Sequence, residues 1–178
     1  ASPVVILLHH GLGTLNAWEE QIPAFVDAGL RVIAYDRWGY GRSDPRPRLA
    51  LPYFEDDLDD LLVLLQTLEI STASLVGHSD GGTLSLYFAE KYPQRVERMV
   101  IVAAHIYVEP TMVPGIEGLR AAFEQEPKFQ EGMCRAHGDK WQQVFWNWYT
   151  GWVNEATLSW DMRSLLHRIT CPVLVVQG

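Results

Sequence analysis

Along the chain, short unbroken apolar runs alternate with segments whose apolar residues recur every three or four positions. Val4 to Leu8, Arg31 to Tyr35, Ala73 to Val76, Arg98 to Ala104 and Pro172 to Val176 are runs of the first kind, and they predict strands buried on both faces. Between them, Asn16 to Ala28 places Trp18, Ile22, Phe25 and Val26 at helical spacing and stops at Gly29, a residue suited to a C-terminal cap. Pro23 sits inside that pattern, where it kinks a helix or shifts its start. Tyr53 to Leu68 sets Leu58, Leu61, Leu62, Leu65 and Leu68 on one helical face, and Ser79 to Tyr92 is a further helix. Strands alternating with helices long enough to cross over them call for an α/β fold, a parallel central sheet with helices on both faces. In such a sheet chemistry gathers at the carboxyl ends of the strands, here His10 to Gly13, Asp36 to Gly41, Ser79 and His105 to Glu109.

The stretch from about Ile106 to Thr170 has a different texture. It holds Trp141, Trp146, Trp148, Trp152 and Trp160, five of the seven tryptophans. Trp141, Phe145, Trp148 and Trp152 share one helical face, which serves either as plain core or, in part, as the wall of an apolar substrate pocket. The organisation expected is a core of residues 1–104 and 171–178, with an aromatic-rich helical lid, 105–170, inserted in it. Early in the helix from Tyr53 stand Glu55, Asp56, Asp57, Asp59 and Asp60. They complement the positive end of the helix dipole and are expected to form a solvated face rather than a metal site.

A chain of 178 residues buries one substantial core, so one domain is expected. With 22 acidic against 14 basic residues the net charge is -8, which repels nucleic acid and anionic membrane surfaces, and neither is expected as a partner. Cys134 and Cys171 match no metal or redox spacing; free thiols in a cytoplasmic protein explain them, and a disulfide between them is left open. No apolar run is long enough to span a bilayer, and because Ala1-Ser2-Pro3 leads directly into a strand, a signal peptide is not expected in these residues. The chain does not open with methionine, so translation is expected to start before Ala1.

Gly77-His78-Ser79-Asp80-Gly81 lies between an apolar run and an amphipathic helical pattern, the setting of a nucleophile elbow. So tight a turn strains the backbone of Ser79 and brings Gly77 and Gly81 against neighbouring main chain, where only small residues fit. It also raises the Ser79 hydroxyl above the sheet and turns the Asp80 amide toward a developing oxyanion. A second donor is available from the Leu12 amide in His9-His10-Gly11-Leu12-Gly13, where Gly11 and Gly13 permit close approach. His10 is expected to hold that loop through hydrogen bonds rather than to act as the base.

His10-Gly11-Leu12-Gly13, then Asp36-Arg37-Trp38-Gly39-Tyr40-Gly41-Arg42-Ser43, then Gly77-His78-Ser79-Asp80-Gly81-Gly82 resemble, in order and spacing, the three successive signatures of the α/β-hydrolase superfamily. The likeness runs from about Val4 to Gly178. It implies that the strands stand as the third to the seventh of that fold, that Ser79 is the nucleophile and that the Leu12 and Asp80 amides form the oxyanion hole. It further implies that the loop from Asp36 braces the site without reacting. His10, Gly11, Trp38, His105, Trp146 and Trp148 are expected to line the substrate. No metal or organic cofactor is implied. A serine at the elbow sets the chain apart from the superfamily's dehalogenases and epoxide hydrolases, which place an aspartate there.

The resemblance also puts the triad acid after the seventh strand and the histidine after the eighth, so both are expected beyond Gly178, as the first two strands are expected before Ala1. Among residues present, Glu109 is a weaker alternative for the acid and His105 for the base. His78 is expected to pack, and His137 and His167 to take surface or hydrogen-bonding roles. The function expected is that of a serine hydrolase acting on a small, fairly apolar ester, lactone or related carbonyl compound. The alternatives are a small-molecule-binding protein on the same scaffold and a fragment inactive in isolation.

Overall fold

The computed structural model describes residues 2–49 and 51–177. Ala1 and Gly178, the outer limits of the expected core, and Ala50, within the expected loop from Asp36 to Pro52, lie outside the described residues. Among the described residues five parallel strands, β1 (Val4–Leu8), β2 (Arg31–Ala34), β3 (Ala73–His78), β4 (Val96–Val102) and β5 (Val173–Val176), form one sheet in the order β2-β1-β3-β4-β5. Alternate residues of β1 face opposite ways. Val5 and Leu7 join Val76 against Trp18, Ile22 and Phe25, while Ile6 and Leu8 join Leu75 against Leu61, Leu65, Leu84 and Phe88. Helices therefore cover both faces, as the alternation of runs requires.

The chain leaves β1 for β2 on one side and returns to β3 on the other. The order of the sheet thus reverses between β1 and β3, and the crevice beyond their carboxyl ends is where a doubly wound sheet receives its ligand. The loop from His9 to Gly13 and the turn at Ser79 flank it.

The expected helix from Asn16 to Ala28 is divided. A 3-10 turn spans Leu15–Trp18, with the Thr14 side chain accepting from the Asn16 amide, and α1 (Ile22–Asp27) starts afresh with Pro23 in its first turn, where its missing N–H costs nothing. Helix α2 (Glu55–Thr67) is slightly shorter than its pattern. β3 runs two residues past Val76, because His78 still pairs with Val102; β4 starts at Val96 and ends where Ala103 turns to φ 49°.

The acidic start of α2 needs a correction. Glu55, Asp56, Asp59 and Asp60 are exposed, but Asp57 is 2% exposed and holds two buried guanidinium groups, Arg37 at 3.2 Å and Arg46 at 2.7 Å. Asp57 falls on the stripe of Leu61 and Leu65, spaced by four, and so turns inward with them. A carboxylate taken inside must be paired, and loop 36–46 supplies both cations.

Between β4 and β5 stands a helical insert: α4 (Met112–Gln125), α5 (Pro127–His137), α6 (Trp141–Val153) and α7 (Glu155–Leu158), then a 3-10 turn over Arg163–Arg168. The aromatic face of α6 serves two cores. Phe145 stacks on Phe123 at 3.8 Å within a small cluster that includes Met133, Val144 and Tyr40, whereas Trp148 and Trp152 join the main core beside Trp160. Cys134 and Cys171 are both free thiols. Among the described residues no helix is long and apolar enough to cross a membrane.

Candidate active site

Ser79 has φ 53° and ψ −118°, a conformation that a residue with a side chain adopts only when its surroundings enforce it. Here they do. Its amide donates to the Val102 carbonyl at 2.8 Å, and its carbonyl accepts from Gly82 at 2.8 Å and Thr83 at 3.0 Å. A Cβ on Gly77 would overlap the Gly81 carbonyl, and one on Gly81 would overlap the Leu8 carbonyl, so α3 (Asp80–Lys91) rests directly on β3 and β1. The side chain of Ser79 remains half-buried at the crevice. Asp80, the first residue of α3, has no carbonyl one turn back, which leaves its amide free for an anion.

The loop after β1 is equally constrained. Gly13 donates to the His10 carbonyl at 3.1 Å and closes a tight turn around Gly11 and Leu12. His9 is buried; its Nε2 accepts the Arg37 amide at 3.1 Å, so Nδ1 carries the proton and donates to the His10 carbonyl at 2.8 Å. Burial above all holds His9 well below the ordinary imidazole range. The His10 ring lies over Gly13, where a Cβ would overlap it, and meets His78 edge-on at 5.3 Å. Burial, with smaller help from His78 and Arg37, lowers His10 to about 4, so it is neutral at physiological pH.

Gly11 is the meeting point of three elements. A side chain there would overlap both Trp148 Nε1 and Asp80 Oδ2. The Asp80 carboxyl, 1% exposed, is raised from 3.8 to about 6, chiefly by desolvation, with Arg37 and the Trp152 and Trp148 indoles opposing the rise. Its Oδ2 and Trp148 Nε1 each lack a well-formed hydrogen bond. This carboxyl, one residue from Ser79, escaped the sequence reading, which used only the Asp80 amide. The signal available was an acidic residue opening a helix whose following residues, Gly81 to Ala89, all read as buried.

His105 follows β4. Its amide and carbonyl are both held by the Thr83 hydroxyl of α3, at 3.1 and 2.7 Å, and its ring meets Trp152 edge-on at 5.8 Å. The structure thus gathers Ser79, Asp80, His10, Gly11, Leu12, His105 and Trp148 around the ends of β1, β3 and β4. Two of the expected residues lie elsewhere. Trp38 bonds the Pro45 carbonyl and lies under the Arg46 guanidinium, and Trp146, 38% exposed, packs on Phe123, Phe145 and Tyr149 of the insert. The Asp36 carboxylate accepts from the Leu15 and Arg42 amides at 2.8 and 2.9 Å, which ties its loop to the segment after β1. Glu109 and His167 are exposed, and His78 lines a 380 Å³ hollow with Trp18 and Phe25. His137 bonds the Leu12 carbonyl and the Gly41 amide.

This geometry agrees with the comparison to known proteins. A serine hydrolase called BPHL from Homo sapiens is 34% identical over 154 residues, 83% of this chain and 52% of that protein; its counterpart from Mus musculus is 32% identical over 179 residues, 98% of this chain and 62% of that protein. The chain therefore spans between half and two thirds of the length of these two relatives. The crystal structure of NosK from Streptomyces actuosus matches with a TM-score of 0.85 at 25% identity, covering 100% of this chain and 77% of that one. The profile of the family described as alpha/beta hydrolase fold matches residues 3–170, and the chain belongs to that family.

Proposed function

We propose that the chain carries the nucleophile and oxyanion-binding half of a serine hydrolase, and that it acts on a small, fairly apolar ester, lactone or related carbonyl compound. The observation that carries this reading is the enforced positive φ of Ser79 at the point where the order of the sheet reverses. Ser79 Oγ attacks the substrate carbonyl, the leaving group departs with a proton, and water then releases the acyl group. The Leu12 and Asp80 amides receive the negative charge that grows on the carbonyl oxygen; removal of one such donor typically costs about 3 kcal/mol of barrier lowering.

Kinship with two proteins named serine hydrolases supports the choice of reaction class. Apolar substrates fit the aromatic surroundings of the Ser79 turn, where Trp148 crowds Gly11 and His105 meets Trp152 edge-on, its imidazole held below the ordinary range by burial. In this reading residues 105–170 act as the lid and set specificity. The described residues include no imidazole bonded to Ser79: His9 and His137 are each engaged at both ring nitrogens by loop backbone.

The test is turnover of p-nitrophenyl butyrate by the protein and its Ser79→Ala variant. The variant is expected to lose on the order of a thousandfold or more in kcat. Turnover that survives Ser79→Ala overturns the assignment.

A further inference from the structure

His137 ends α5, at the point where the insert meets two loops of the core together. Its ring is 3% exposed. Nδ1 receives the Gly41 amide at 3.0 Å and Nε2 lies 3.1 Å from the Leu12 carbonyl. A backbone N–H only donates, so Nδ1 is bare, and Nε2 must carry the ring proton and donate it to Leu12. The surrounding contacts make this a firm mount. Lys140 donates to the Tyr40 and Ser43 carbonyls, Asn147 donates to the Arg46 carbonyl at 2.8 Å, and Tyr40 meets the His137 ring edge-on at 6.1 Å.

The peptide unit that follows Leu12 is thereby held at both its polar atoms. Its carbonyl is fixed by His137, and the Gly13 amide of the same peptide unit is fixed by the His10 carbonyl. We infer that His137 is a positioning residue for the oxyanion-binding amide of Leu12: through this imidazole the insert sets the angle at which that N–H meets the developing charge. The inference rests on the reading of Ser79 as nucleophile and Leu12 as donor. An oxyanion donor works only over a narrow range of distance, so a small tilt of the Leu12–Gly13 peptide, passed across the Leu12 Cα to its N–H, costs rate without emptying the substrate site. The two bonds join residues 96 and 125 positions apart, which is why no local motif announces them.

The test compares the rate at which a fluorophosphonate labels Ser79 in the wild type, His137→Phe and His137→Gln. Phenylalanine fills the space without bonding and is expected to slow labelling roughly tenfold or more, while glutamine, which can donate to Leu12, stays within about threefold of wild type. Labelling by His137→Phe at the wild-type rate overturns the proposal, as does a glutamine variant no faster than phenylalanine. Should His137→Phe fail to fold, His137→Asn, which keeps an acceptor for Gly41 but does not reach Leu12, replaces it under the same criterion. Nitrogen-15 spectra of the wild-type imidazole are expected to show the proton on Nε2; a proton on Nδ1 overturns the proposal. A wild-type protein that takes no label refutes the hydrolase reading instead. In that event hydrogen exchange at the Gly13 amide still judges His137, because unchanged protection in the phenylalanine variant removes its hold on the loop.

Discussion

Gly81 and Gly132 stand in helices of nearly equal length, α3 of 12 residues and α5 of 11, yet an added methyl group would meet opposite surroundings. At Gly81 it runs into the Leu8 carbonyl of the central strand; at Gly132 it finds open space. The first turn of helix α3 meets the sheet main chain against main chain, and its position fixes the Ser79 turn. Helix α5 is placed by side chains at its ends and along one face, among them Met133 and His137. The elbow is therefore rigid by exclusion, while the insert is held by contacts that substitution can adjust.

The difference can be broken or sharpened by substitution. Gly81→Ala is expected to cost about 3 kcal/mol or more, because strand and helix must separate to admit the methyl group. A urea midpoint equal to that of the wild type would show that α3 yields as readily as the insert. Asp80→Asn should have the next largest effect, and its sign depends on pH. Burial raises the Asp80 carboxyl from 3.8 to about 6, so the folded protein holds this proton more tightly than the unfolded chain does. Its contribution favours the fold most below pH 4 and is lost as pH rises through 6, a change of about 3 kcal/mol. The asparagine variant should lack that slope, gaining stability above pH 6 relative to wild type and little at pH 4; parallel profiles from pH 4 to 8 would contradict a desolvated carboxyl. The smallest effect is expected for Gly132→Ala, a gain of roughly 0.5–1 kcal/mol from helix propensity alone.

The same contrast explains what could be read from the residues. The parallel sheet, the helices on both faces and the turn at Ser79 follow from short-range rules: apolar runs, helical spacing, and glycines two positions either side of a serine. Division of the helix from Asn16 was foreshadowed by Pro23. Asp57 was legible in principle, since its spacing from Leu61 and Leu65 marks it as inward, but its charged neighbours masked that signal. The pairing of Asp57 with Arg37 and Arg46, the burial of the Asp80 carboxyl against Trp148, and the bonds of His137 are long-range contacts with no local period. Trp146 shows the converse. It lies near Trp148 in sequence, but the helix turns its ring toward Phe123 and Tyr149 rather than toward Gly11.

The central claim is that the strained Ser79 is a nucleophile held ready by the fold. Peptide mapping after treatment with a fluorophosphonate tests it most directly. A single adduct on Ser79 in the native protein, lost in denaturing urea and in Ser79→Ala, is the result expected. An untouched Ser79 in the folded protein, or an adduct carried by another serine, would contradict the account.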